Sequence, residues 1–161
     1  MSPDDSPDCQ LLGADAVSRG VLRLFHRHGL TGMREVTLPN GRRADVMALD
    51  GAGQLIIVEI KCSRADLLGD AKWTDYYDYC DRFYWAVPGG FDLALLDMDC
   101  LWPQRSGLIV ADQYDGEIIR PAPLEPLAAA RRKAELARFA RRAARRLMIL
   151  ADPEIEAGGD F

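Results

Sequence analysis

An α/β (α+β) domain, with a mixed central sheet flanked by helices, is predicted by three features of the sequence. Two near-continuous apolar runs, "RRADVMALD" and "QLIIVEIK", stand on either side of "GAG" and read as a tight antiparallel pair. A helical segment then separates "QLIIVEIK" from a further apolar run, "RFYWAVP", and is long enough for a right-handed crossover between parallel strands. Finally, "LEPLAAARRKAELARFARRAARRLMIL" has the pattern of a long amphipathic terminal helix. Antiparallel and parallel neighbours in one chain make the sheet mixed, and helices must cover its faces.

The elements follow in order. "MSPDDSPDCQ", residues 1–10, is acidic and contains proline, and is expected to be a disordered lead. "GADAVSRGVLRLFHRHG" places Val17, Val21, Leu24 and Phe25 at helical spacing, with Gly29 as the stop. "MREVTLP" reads as a strand, and "NG" at 40 and 41 as the turn into "RRADVMALD". After "CSRADLLGD", the segment "AKWTDYYDYCDRF" is predicted as a helix with Trp73, Tyr76, Tyr77 and Cys80 along one side. Pro88 ends "RFYWAVP". "SGLIVADQYDGEIIRPAP" is a hairpin turning at "DG". On the terminal helix, Leu136, Phe139, Ala140, Ala143, Leu147 and Leu150 form one stripe that should face the core. Residues 151–161 read as a frayed acidic tail, which leaves residues 11–150 as a single domain without repeat or linker.

Composition removes several function classes. No apolar stretch approaches the length of a membrane span, and the N-terminus lacks a secretory signal's basic start, so a cytoplasmic protein is expected. Cys9, Cys62, Cys80 and Cys100 form no CxxC pair, which argues against structural zinc and a disulfide framework. The net charge is −5, but residues 131–146 hold eight basic side chains and one acidic. That segment is +7 and the remainder of the chain −12, so a polyanion would meet a local cation surface.

The central strand pair carries charges where a buried pair should have none. Glu59 and Lys61 share a face of their strand, Ile60 pointing the other way. If "GAG" is a three-residue loop, Asp50 pairs with Gln54, and counting outward sets Asp45 directly opposite Glu59. A two-residue loop would separate them onto opposite faces. Two close carboxylates repel, and a divalent cation resolves the conflict; oxygen ligands without His or Cys suit Mg²⁺ or Mn²⁺. The carbonyl of Ile60 offers another oxygen. With a cation held there, Lys61 is placed to orient a water or stabilise charge on phosphorus. The alternative for an arbitrary E-x-K is an edge ion pair, with Asp45 capping its strand.

Asp45, "EIK" at 59–61, "AKWTDYYDYCD" and "RFYWAVP" resemble, in order, the PD-(D/E)XK nuclease superfamily of restriction-endonuclease-like fold. More narrowly, "GRRADVMAL", "VEIKCSRADLLGDAKWTDYYDYCDRFYWAVP", "GLIVAD" and "ARRKAELARFARRAARRL" resemble the bacterial MmcB-like DNA repair family, over most of residues 15–148. The resemblance implies a role in DNA repair and a Mg²⁺-dependent endonuclease activity. Two departures stand out. Ala44 precedes Asp45 where the pattern has proline, and the first helix lacks the glutamate some members contribute, for which Asp15 or Glu35 is a weak substitute.

Other candidates surround this set. Lys72 could reach a phosphate or the attacking water, or simply keep its ammonium in solvent. Arg42 and Arg43 stand where a phosphate would enter. Arg131, Arg132, Arg138 and Arg142 on the terminal helix are candidates for tracking a DNA backbone. Trp73, Tyr76 and Tyr77 read as core before base-stacking residues, and Asp70 and Asp75 as surface or capping residues. His26 and His28, two apart on a helix, cannot share a metal. The expected partners are DNA and repair proteins, with a homodimer left open and no membrane; a non-catalytic DNA-binding or adaptor module on the same fold is the rival function.

Overall fold

The structure, a computed structural model, describes the backbone of residues 7–155 and the side chains of residues 13–155. Residues 1–6 and 156–161, the outer parts of the expected lead and tail, lie outside the described residues. Helix α1 spans Pro7–Arg27 and so starts before Gly13, within the segment expected as a lead. Strands β1 (Thr31–Thr37), β2 (Arg43–Leu49) and β3 (Leu55–Ile60) follow as an antiparallel meander. Helix α2 (Arg64–Gly69) and a 3-10 helix (Trp73–Tyr79) carry the chain to β4 (Arg82–Val87), which runs parallel to β3. Strand β5 (Ser106–Ala111) is parallel to β4, and β6 (Gly116–Arg120) closes the late hairpin. Helix α3 spans Ala129–Ala151. The six strands form one mixed sheet in the order β1-β2-β3-β4-β5-β6, the architecture expected.

The "GAG" bend fixes the register of the sheet's centre. The Asp50 N–H donates to the Gln54 carbonyl (3.1 Å), and the Asp50 carboxylate accepts from the Ala52 and Gln54 amides (2.9 Å each). Gly53 takes the left-handed conformation, φ +82°, that closes a three-residue loop without Cβ strain. Leu49 therefore pairs with Leu55 and Val46 with Val58, so Asp45 continues the register opposite Glu59.

Side-chain alternation divides the core in two. On one face Val46, Ala48, Ile56, Val58 and Ile109 pack under Val17, Val21, Leu24 and Phe25 of α1. On the other, Met47, Leu55, Ile57, Phe83 and Trp85 are covered by the 3-10 helix and by Phe139 of α3. Asp45 and Glu59 belong to this second face by the period of two.

Two sequence expectations fail here for identifiable reasons. The segment after "LLGD" is a 3-10 helix rather than an α-helix, and its buried residues are Trp73, Tyr76 and Tyr79. A spacing of three suits 3.0 residues per turn and adds Tyr79 to the core, while of the expected stripe Trp73, Tyr76 and Cys80 are buried and Tyr77 packs against that core. The core stripe of α3 also ends early. Phe139 is buried, but Leu147, Met148 and Leu150 are 66%, 55% and 79% exposed. The helix is about 35 Å long. It starts beside Asp81 at the foot of β4, and by Arg146 it has reached the edge strand β1, leaving no sheet beneath its last turns.

Candidate functional site

Asp45 and Glu59 face each other where the antiparallel ladder gives out. Backbone pairing stops at Val46 and Val58. Beyond it each carboxylate takes a main-chain amide of the opposite strand. The Ile60 N–H donates to Asp45 Oδ2 at 2.8 Å, and the Asp45 N–H donates to Glu59 Oε1 at 3.2 Å. The Lys61 N–H donates to the Ala86 carbonyl of β4 (2.9 Å), so by strand alternation the amide and carbonyl of Ile60 point to the β2 side, toward the acids.

The electrostatics of the pair are unfavourable as they stand. Burial pushes the Glu59 carboxyl well above the usual carboxylate range, and the neighbouring Asp45 charge pushes it further. Burial also raises Asp45, against the Ile60 hydrogen bond and the charge of Lys61, which pull it down. Tyr76 lies against Glu59 from the 3-10 helix and donates to the Arg43 carbonyl at 2.9 Å. With that donor spent, its oxygen suits a protonated Glu59 better than an ionised one.

Lys61 lies near enough for its charge to favour both ionised acids, as the sequence expected, but the direct partners of its ammonium are two further carboxylates. Its ammonium pairs with Asp70 (2.9 Å) and more loosely with Asp66 (3.6 Å), both delivered by α2 and the turn after it. Ser63 caps α2 by accepting from the Asp66 N–H (3.1 Å), and buried Leu67 anchors it. Asp66 and Asp70, four apart, thus reach the same ammonium. Asp70 also accepts from the Lys72 N–H (3.0 Å), so one carboxylate ties the strand end to the start of the 3-10 helix. The Lys61 hydrogen bond holds Asp70 below its ordinary value, and Asp70 in turn raises Lys61. Asp70 is therefore more than the capping residue expected. The spacing of Asp66 and Asp70 in "SRADLLGD" was the available signal for it.

The remaining candidates separate into available and committed side chains. Lys72 is exposed at the cap of the 3-10 helix. Arg43 is 63% exposed, on the same face of β2 as Asp45, and its one ion-pair contact among the described residues is to Glu35 at 3.9 Å. Arg42 is bound to Asp75 at 3.0 Å. On α3, Arg132 grips fully buried Asp81 (2.7 Å), and Arg142 is itself buried, donating to the Thr37 carbonyl (2.7 Å). Arg138 pairs with buried Glu135, while Arg131 stands 3.8 Å from that carboxylate and over the Tyr79 ring. Arg132 and Arg142 thus fasten α3 to the sheet, and what remains for solvent are the outer edges of Arg131 and Arg138. Of the weak substitutes for a helix glutamate, Asp15 pairs with Arg34, and Glu35 is exposed in the left-handed conformation (φ 51°).

Whether the pair suits a divalent cation is decided by its donors. Among the described residues no three His, Cys, Asp or Glu side chains group for a metal. Two carboxylates and a carbonyl do suit Mg²⁺ or Mn²⁺, which keep several waters and bind through one or two acids plus a phosphate. A family of DNA repair proteins, described as MmcB-like, matches residues 4–154. A solved structure, of a protein of unknown function from Silicibacter pomeroyi, is similar at a TM-score of 0.81 and 43% identity, across 91% of this chain and 96% of that one. No curated protein matches.

Proposed function

We propose that this chain, which belongs to the MmcB-like DNA repair protein family, is a divalent-metal-dependent DNA endonuclease on the PD-(D/E)XK pattern that its sequence resembles. One observation carries the reading. Buried Asp81 has Arg132 and buried Glu135 has Arg138, but Glu59, 5% exposed, makes no salt bridge among the described residues; it feels Lys61 only at longer range and faces a second acid. Burying like charges side by side is costly unless a proton or a cation compensates them.

Asp45, Glu59 and the Ile60 carbonyl would hold Mg²⁺ or Mn²⁺. When bound, the ion supplies polarisation of a phosphoryl oxygen and acidification of a water. The residues do the rest. Asp45 and Glu59 are held in place by the cross-strand amides, so little reorganisation is needed on binding. Lys61, kept cationic and fixed by Asp70, stabilises charge gathering on the phosphoryl oxygens as water attacks phosphorus and the bond to the leaving oxygen breaks. Arg43, exposed beside Asp45, binds the phosphate flanking the cut.

The test is Mg²⁺-dependent cleavage of supercoiled and branched DNA. Glu59→Gln and Lys61→Ala should lower it by at least about a hundredfold while leaving the circular dichroism and unfolding cooperativity intact. Asp70→Asn, which loosens Lys61, should lower kcat with little change in metal affinity. Undiminished cleavage by Glu59→Gln would refute the assignment. The pairing of Lys61 with Asp70 and Asp66 favours one rival, a non-catalytic DNA-binding module on the same fold. Calorimetric titration with Mn²⁺ separates them, since that module has no need of an ion at Asp45 and Glu59.

A further inference from the structure

A groove of about 890 Å³ lies away from the carboxylates, between the outer face of α1 and the β5–β6 turn. Arg19, Arg23 and Arg27 project into it from the side of α1 opposite Val17, Val21 and Leu24, and Arg34 closes one end. Four guanidiniums share this groove with two acids, Asp15 and Asp115, on a chain whose net charge is −5. The local sign runs against the whole.

The groove is constructed by close packing. A Cβ on Gly20 would lie 2.0 Å from the Asp112 carbonyl and 2.5 Å from that of Asp115, so only glycine lets the turn press onto α1. Arg23 then donates to the Tyr114 carbonyl (3.0 Å), and Arg27 to Asp115 (2.7 Å) and the Gly116 carbonyl (3.2 Å). These bonds hold the turn while the Tyr114 ring stands out, 66% exposed. Arg19 is exposed and has no ion-pair partner among the described residues. The groove lies on the α1 face of the sheet, the face opposite the one that carries Asp45 and Glu59.

We propose that this groove binds a single-stranded DNA segment, its phosphates along the arginines and a base stacked on Tyr114. Single-strand sites combine a cationic track with exposed aromatic rings, and unpaired bases alone offer a free face to stack. The exposed pairs Arg34–Asp15 and Arg27–Asp115 are of the weak surface kind, which a phosphate readily replaces. The identity of the polyanion rests on the DNA repair reading above, but the groove does not depend on cleavage.

The experiment is fluorescence anisotropy with a labelled oligothymidylate of about 16 nucleotides, full-length protein and EDTA present, across a salt series. Tyr114→Ala should weaken binding at least about fivefold. Arg19→Ala should lower the slope of log K against log salt by about 0.7. Lys133→Ala, on the exposed side of α3, should leave affinity unchanged. Wild-type affinity in both groove variants, or equal affinity for duplex of the same length, would overturn the proposal. Tight groove-dependent binding without any cleavage would sink the nuclease reading alone. Cleavage with groove variants binding normally would sink this one alone.

Discussion

Glu59 shows how a single side chain can reveal a missing counter-charge. A carboxyl that holds its proton more tightly folded than unfolded removes stability as pH rises from the ordinary carboxylate range through its raised value. Glu59→Gln keeps an oxygen for the Asp45 amide but has no charge to desolvate. Without divalent ions, its melting temperature should exceed that of the parent by little at roughly pH 5 and by progressively more toward about pH 8. Each kcal/mol recovered is worth about 2–4 °C. A constant difference across that range would show that the Glu59 carboxylate is not paying for its burial. At this scale the sequence revealed much. The register that sets Asp45 opposite Glu59 was read from alternation and loop length. The ties of Asp70 to Lys61 and of Tyr76 to Glu59 were not, because the four-residue spacing of Asp66 and Asp70 signals a shared face but not which residue of β3 that face meets.

At the level of elements, the β2–β3 hairpin decides whether there is a site. The loop Gly51–Gly53 sets Asp50 against Gln54, and every pair outward follows, ending with Asp45 against Glu59. Deleting Ala52 leaves a two-residue loop and turns one strand's side chains over. The variant should lose Mn²⁺ binding by calorimetry even if it folds. Gly53→Ala, by contrast, keeps the register but places a Cβ at φ +82°, costing about 1–2 kcal/mol in urea unfolding with Mn²⁺ binding retained. Loss of metal binding in Gly53→Ala, or its survival in the deletion, would contradict this account of the hairpin. Hairpin and crossover strands were legible because period two and glycine turns are local signals. The 3-10 helix was not, since Trp73, Tyr76 and Tyr77 fit either helical period until Tyr79 is seen buried. The end of the α3 core stripe was not legible either, because the stripe's apolar spacing continues after the sheet below it has ended.

Over the whole molecule, charge is divided between holding the fold and meeting a partner. The +7 segment of α3 reads in sequence as a DNA surface, yet Arg132, Arg142 and Arg146 reach back to Asp81, Thr37, Arg34 and Glu35. These long-range bonds, invisible to composition, turn much of that helix into a strap across the sheet. Among the described residues no helix is long and apolar enough to cross a membrane. Buried Asp81, Glu135 and Lys61 each have an opposite charge within the protein, whereas Asp45 and Glu59 make no salt bridge among the described residues. The most direct measurement is an anomalous difference map from crystals grown at neutral pH and soaked in Mn²⁺. A peak between the Asp45 and Glu59 carboxylates, within reach of the Ile60 carbonyl and absent in Glu59→Gln, is the predicted result. A well-ordered map with no manganese there, or manganese bound only elsewhere, would contradict the account.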